Sequence, residues 1–184
     1  MEINKHVSEQ LIGIGIFVVV TIICARILVP VPGGVPFTLQ AWSIALAGML
    51  LGPRKGAAVA VIYLLLGTMI SPAVFGFATQ IPLLKRPMAG FIFSLPLLAF
   101  LAGWGKERGG WGWLYLGMIL GVCAKLTVGV CYFFYRTTVG FARSVEIAMT
   151  SRTGPALAQI ILLPLLAVGL QTLAGKVSKL RRPV

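Results

Sequence analysis

Six apolar stretches, parted by short breaks of proline, glycine and positive charge, decide what this chain is able to fold into. A helix of ~20 apolar residues crosses a bilayer, and a helix satisfies its own backbone polar groups there. The stretches run from about Glu9 to Val29, Thr38 to Leu51, Gly56 to Ile70, Met88 to Trp104, Trp111 to Tyr135 and Thr153 to Ala174. The second and third are short for a perpendicular span. Either they start deeper in the protein, or their flanking turn lies within the membrane, where irregular backbone is tolerated only if it is buried or lines a cavity. Between the third and fourth lies "SPAVFGFATQIPLLKRP", Ser71 to Pro87, too broken by its three prolines to count as a span. The expected fold class is therefore an all-α integral membrane protein, with residues 1–184 forming one six-helix transmembrane domain. Only 11% of the residues are charged, against ~25% in soluble domains, and no length remains for a separate soluble catalytic domain.

The formal net charge of +12, from 16 basic and 4 acidic residues, would suggest nucleic acid in a soluble chain. In a chain this apolar, basic residues mark membrane-flanking segments, and nucleic acid is not an expected partner. The opening "MEINKHVSEQ" is too polar for a typical signal peptide. With an even number of spans and both termini cytoplasmic, the inner segments hold Lys5, Arg54, Lys55, Lys106, Arg108, Lys176, Lys179, Arg181 and Arg182. The outer ones hold Arg26, Lys85, Arg86, Arg136, Arg143 and Arg152. Nine against six is a bias in the direction that places positive charge inside. Small residues recur four apart at Gly48 and Gly52, Ala99 and Gly103, and Gly117 and Gly121. Such pairs let helix backbones approach closely, and packing within the chain is the first reading of each. Trp104, Trp111 and Trp113 read as interfacial anchors.

Catalysis finds no footing. The one histidine, His6, lies in the polar N-terminal stretch, and Glu2, Glu9, Glu107 and Glu146 all avoid helix middles. Neither a carboxylate pair nor a metal site is expected, and no cofactor is implied. Cys24, Cys123 and Cys131 fit no metal spacing and read as small buried hydrophobes. Without a phosphate-binding P-loop the chain cannot hydrolyse ATP, so any uphill movement of solute needs energy from another subunit.

Lys125, near the middle of the fifth stretch in "GVCAKLTVGVCYFF", is the most informative residue. A cation at the bilayer centre costs between ~3 and more than ~10 kcal/mol unless it meets water or a partner. An inward-facing lysine lining a polar cavity is expected, with a bound anion as its counter-charge. Lys85, Arg86, Arg143 and Arg152 put positive charge on the outer face, against the usual bias, and an arginine there can grip a carboxylate through two parallel bonds. Thr38 and Gln40 open the second helix, and Thr79 and Gln80 lie in the broken outer segment, where each can meet a polar ligand group. Trp42, Phe75, Phe77, Phe91 and Tyr132 are candidates for apolar walls.

The stretch "VPFTLQAWSIALAGMLLGPRKGAAVAVIYLLLGTMISPAVF", Val35 to Phe75, resembles the biotin transporter BioY family. It has the PFT-x-Q opening, the L-A-G-x-L-L-G-P turn followed by two basic residues and glycine, the Y-L-L-L-G helix and the P-x-V-F step. The resemblance implies a six-helix substrate-binding S component of an energy-coupling-factor (ECF) vitamin transporter in a bacterial plasma membrane. It implies biotin as cargo, held in a pocket near the outer face. It also implies a transmembrane coupling subunit and two ATP-binding cassette ATPases as partners. Small-residue helix faces would suit reversible docking onto that module. Lys125 with Lys85, Arg86 or Arg143 would meet the carboxylate, and Gln40, Thr79 and Gln80 the polar head. Two departures stand out. Arg86-Pro87-Met88-Ala89-Gly90-Phe91 occupies the place of a glycine-rich Gly-Pro-Thr-Gly-Gly-Tyr motif. The aspartate usual near the start of the last helix is missing, leaving Glu146 as the nearest acid and Gln159 as the nearest amide. The same fold re-specified for lipoate, which has a carboxylate but no ureido group, is the alternative cargo reading, and a non-transport membrane scaffold the alternative role.

Overall fold

The computed structural model describes residues 2–30, 37–76, 82–138 and 140–180. Side chains are described from residue 8 to residue 173 except at 9, 72, 147–149, 151 and 152, and in the gaps between those four segments. The element order is α1 (Glu2–Arg26), β1 (Leu28–Val29), β2 (Phe37–Thr38), α2 (Gln40–Leu51), α3 (Pro53–Leu65), α4 (Ala89–Phe93), α5 (Leu95–Glu107), α6 (Trp111–Arg136) and α7 (Phe141–Leu180). α3 continues into a wider π turn over Leu66–Ile70, and 3-10 turns follow at Pro72–Phe75 and Leu83–Lys85. α4 and α5 form one rod broken at Ser94, where Pro96 in the first turn of α5 has no N–H to continue the ladder. The described rods therefore number six, as the apolar stretches imply. Pro53–Ile70, Ala89–Glu107, Trp111–Arg136 and Thr153–Leu173 are long and apolar enough to cross a membrane, while Gln10–Arg26 and Gln40–Leu51 are shorter. Leu11, Ile16 and Val19 on α1 and Leu162, Leu166 and Leu173 on α7 face outward, as a lipid-facing surface requires.

Two boundaries depart from the sequence reading. α7 starts at Phe141, twelve residues before the expected Thr153, so Arg143 and Arg152 belong to a helix rather than a connection. The stretch "FARSVEIAMTSR" is too polar to continue an apolar run yet contains no helix breaker. The second departure is a two-residue antiparallel ribbon, with Leu28 opposite Thr38 and Val29 opposite Phe37. It brackets residues 31–36, so the calls on Pro32, Gly33, Gly34 and Pro36 lie outside the described residues.

Glycines decide how closely the rods meet. Gly52, at φ +92°, ends α2 and starts α3, a backbone conformation that disfavours any side chain. Beside that turn, a Cβ on Gly103 would stand 2.6 Å from the Gly48 carbonyl oxygen, and one on Gly56 would collide with the Gly48 backbone. A Cβ on Gly117 would come within 2.7 Å of the Gly105 Cα. α2, α3, α5 and α6 thus touch main chain to main chain at the hairpin end. The small-residue faces expected to suit docking of a partner are consumed inside the bundle. At the same end, Trp104 stands edge-on to Trp113 at 5.8 Å, and the Arg108 guanidinium lies 4.7 Å from one ring centre and 5.2 Å from the other. That stack suits an interfacial anchor.

Candidate functional site

The opposite end is built from short pieces. A cavity of about 190 Å³ opens there among β1, β2, the start of α2, the 3-10 turn at Phe75, and α4, α5, α6 and α7. Its walls are mostly apolar and include Trp42, Phe75 and Phe91. Two of those rings sit in seats that only glycine leaves open: Phe75 against Gly67 of the π turn, and Phe91 against Gly129 of α6. Among the lining residues Lys125 alone is ionisable.

Lys125 lies about 16 Å of helix from the end of α6 at Arg136, too deep for its ammonium to reach bulk water along the helix. Its Nζ donates to Gln159 Oε1 at 2.9 Å, and Gln159 Nε2 donates to the Ala41 carbonyl at 3.0 Å. Gln159 is 1% exposed, so both ends of a deeply buried amide are satisfied, as burial demands. The chain α6–α7–α2 fixes the ammonium at the cavity wall. Gln159, as a partner of Lys125, is a neutral amide. Among the described carboxylates, Glu107 lies at the hairpin end against Gly52, and Glu146 is in an exposed pair with Arg143 at 2.8 Å.

The start of α2 supplies the second polar surface. Thr38, Gln40 and Ala41 line the cavity, and Leu39 offers no side-chain cap to the first N–H groups of the helix. A helix N-terminus open to a cavity favours negative or electron-rich ligand atoms. Gln40 is held from behind: the Tyr63 hydroxyl donates to its Oε1 at 2.7 Å, and Ser43 Oγ donates to its backbone carbonyl at 2.9 Å. Ser43 also bonds Thr21 of α1 at 2.9 Å, which ties α1 to the same corner. Pro155 and Ala156 of α7 complete the wall. Pro155 cannot donate to the carbonyl four residues back, so the helix ladder is interrupted one turn before Gln159.

Of the residues singled out from the sequence, Gln40, Lys125 and Gln159 come together at this cavity. Arg86 is half-buried just before α4 and does not line it; partial burial lowers the pKa of its guanidinium from the ordinary value. Lys85 is exposed on the 3-10 turn. Arg143 is exposed in the first turn of α7 and engaged with Glu146. Tyr132 stands beside the cavity without lining it: its hydroxyl donates to the Leu84 carbonyl at 2.8 Å, its Cβ sits against Gly90, and its ring leans on Phe93. Thr79, Gln80 and Phe77 lie outside the described residues. Sequence reasoning missed Tyr63, hidden in the apolar run "VIYLLLG"; the hydroxyl, which must find a partner when buried, was the available signal. It also missed Leu28, Phe37 and Met88, which nothing but the fold brings to the wall.

A family model described as the BioY family matches residues 1–176. A probable biotin transporter BioY of Pyrococcus horikoshii is 32% identical over 154 residues, covering 77% of this chain and 94% of that one. The biotin transporter BioY of Thermotoga maritima is 32% identical over 123 residues, 66% of this chain and 72% of that one. The crystal structure of the S-component for biotin from an ECF-type ABC transporter superposes with a TM-score of 0.78 over 92% of this chain and 94% of that one, at 22% identity. That likeness shows a shared fold.

Proposed function

The chain belongs to the BioY family, and on that premise we propose that it is the membrane subunit that captures biotin for uptake, working with an ATP-driven ECF module. The cargo comes from the names of its relatives. The observation that carries the reading here is the cavity with a single cation, Lys125, held at its wall by a neutral amide. A ligand carboxylate brought to that ammonium makes a charge-assisted bond, stronger than one between neutral groups. The apolar rings enclose the aliphatic remainder. The role is binding and delivery rather than catalysis.

The cavity faces outward and both termini lie in the cytoplasm. The support is charge: Arg54, Lys55, Lys106 and Arg108 gather at the hairpin end, the end opposite the cavity, where positive charge marks the cytoplasmic face. Energy comes from partners, a transmembrane coupling subunit and two ATP-binding cassette ATPases. The chain is the cargo-recognising part of that assembly.

Equilibrium binding of biotin and of lipoate to detergent-purified protein tests the reading, with Lys125→Ala alongside. Saturable biotin binding that Lys125→Ala weakens at least tenfold is the expected result. Lipoate binding without biotin would mean a pocket re-specified on the same fold. Binding of neither would remove the carboxylated-vitamin reading.

A further inference from the structure

Tyr63 is fully buried and does not line the cavity. Its ring stands edge-on to Phe75 at 5.3 Å, and Phe75 is seated against Gly67, so the phenol has little freedom to turn. Its oxygen lies 2.7 Å from Gln40 Oε1 and 3.4 Å from the Val74 carbonyl oxygen. A phenol has one proton to give. The shorter distance is the usual length of an O–H···O bond and the longer one is outside that range, so the proton goes to Gln40. An amide side chain has an acceptor end and a donor end. With Oε1 turned to Tyr63, Nε2 points the other way. Gln40 is 9% exposed and lines the cavity, and the bond from Tyr63 is the one its side-chain amide makes among the described residues. In the reverse orientation Nε2 would donate to the Tyr63 oxygen and the phenol proton would be left with the 3.4 Å contact to Val74, so the orientation that gives the proton the short bond is the favoured one. Gln159, the other amide at the cavity, is engaged at both ends. Among the described residues Nε2 is then the end of the Gln40 amide that no protein bond engages, on a residue that lines the cavity.

Resting on the functional reading above, we infer that Tyr63 is a positioning residue that locks the Gln40 amide with its nitrogen toward the cavity, so that this corner selects a ligand head bearing a carbonyl acceptor. The start of α2, which carries no side-chain cap, lines the same corner through Gln40 and Ala41. A ureido carbonyl satisfies those donors. A dithiolane ring does not, and leaves buried N–H groups without partners. A head that presents only donors is rejected more strongly, because donor meets donor. Specificity of this kind comes from the polar group left unmatched by the wrong ligand.

The test compares biotin with 2-iminobiotin, in which a protonated imino group replaces the ureido oxygen, so that an acceptor becomes a donor. Dissociation constants are measured for both on detergent-purified wild type, Tyr63→Phe and Gln40→Glu. Wild type prefers biotin. In Tyr63→Phe the amide is free to turn, and the ratio of the two constants falls about tenfold, the size of one or two hydrogen bonds. In Gln40→Glu the side chain keeps its shape and offers only acceptors, and the preference inverts. An inversion cannot arise from poor folding, which weakens both ligands together. Biotin binding with an unchanged ratio in both variants overturns the inference and leaves the functional reading standing. Failure of wild type to bind biotin overturns the functional reading, and the inference with it.

Discussion

Gln159 stands between Lys125 and Ala41, accepting from the ammonium at 2.9 Å and donating to the backbone carbonyl at 3.0 Å. One amide on α7 thereby sets where a cation on α6 sits relative to the start of α2. Replacing it with Leu removes both bonds and leaves the Ala41 carbonyl and the ammonium to find other partners. Gln159→Leu is expected to weaken biotin about tenfold and to lower stability by about 1–3 kcal/mol. Isothermal titration and thermal unfolding in detergent read the two effects.

Gln159→Glu separates charge from geometry. The carboxylate keeps the bond to Lys125 and supplies an internal counter-ion where the ligand's own is expected. Affinity for biotin falls. Affinity for biotin amide, which has no charge to lose, falls less. A variant that loses both equally would argue against Lys125 as the carboxylate's partner.

Gly129 is the seat of the Phe91 ring. A methyl group there forces the ring off its seat, and the cavity lies on its other side. Gly129→Ala should lower affinity at least tenfold while costing about 1–3 kcal/mol of stability, the usual range for overpacking. Phe91→Leu in the same chain should recover part of the loss, and a double-mutant cycle reports the coupling.

Tyr132 holds the 3-10 turn at Leu83–Lys85 through the Leu84 carbonyl. Tyr132→Phe removes that bond and leaves the ring on Phe93. The expected outcome is a release rate for biotin raised about three- to tenfold with little change in association, since interface changes act mostly on dissociation. Stopped-flow displacement measures it.

Orientation is open to chemical labelling. In a chain whose three native cysteines are replaced by serine or alanine, a single cysteine at Lys85 should react with a membrane-impermeant maleimide in intact cells. One at Lys55 should react only in inverted vesicles. The opposite pattern would reverse the proposed topology.

The rods were legible because membrane helices announce themselves by apolar length. Lys125 was legible because one charge in an apolar run has few bland explanations. Gln159 stood out as the nearest amide at helical depth in the last stretch. Tyr63 was not, since a tyrosine among leucines looks like any large core residue until the fold shows what its hydroxyl faces. The first twelve residues of α7 were missed because hydropathy, the signal that found the other helices, is silent for a polar extension beyond the membrane. The break between α4 and α5 had its signal in Ser94 and Pro96, overridden by the evenness of the apolar run around them. Arg86 and Lys85 looked like ligand contacts by charge alone. They stand at a 3-10 turn, which sequence periodicity does not encode, and neither is among the residues that line the cavity.

The glycine contacts that bring α2, α3, α5 and α6 together main chain to main chain fall at one end of the bundle: Gly48, Gly56, Gly103, Gly105 and Gly117. The cavity falls at the other, among two-residue strands, a π turn and 3-10 turns. Rigidity is thus graded along the membrane normal, as in a clothes peg with a tight spring and light jaws. Cargo can enter and leave by moving the light end, with no main-chain contact in the spring undone. The hairpin half then presents a nearly constant shape whether or not the jaws are full. A partner that tells loaded from empty has to sense the tilt or burial of the whole body, or the jaws themselves, and not a rearranged surface beneath them.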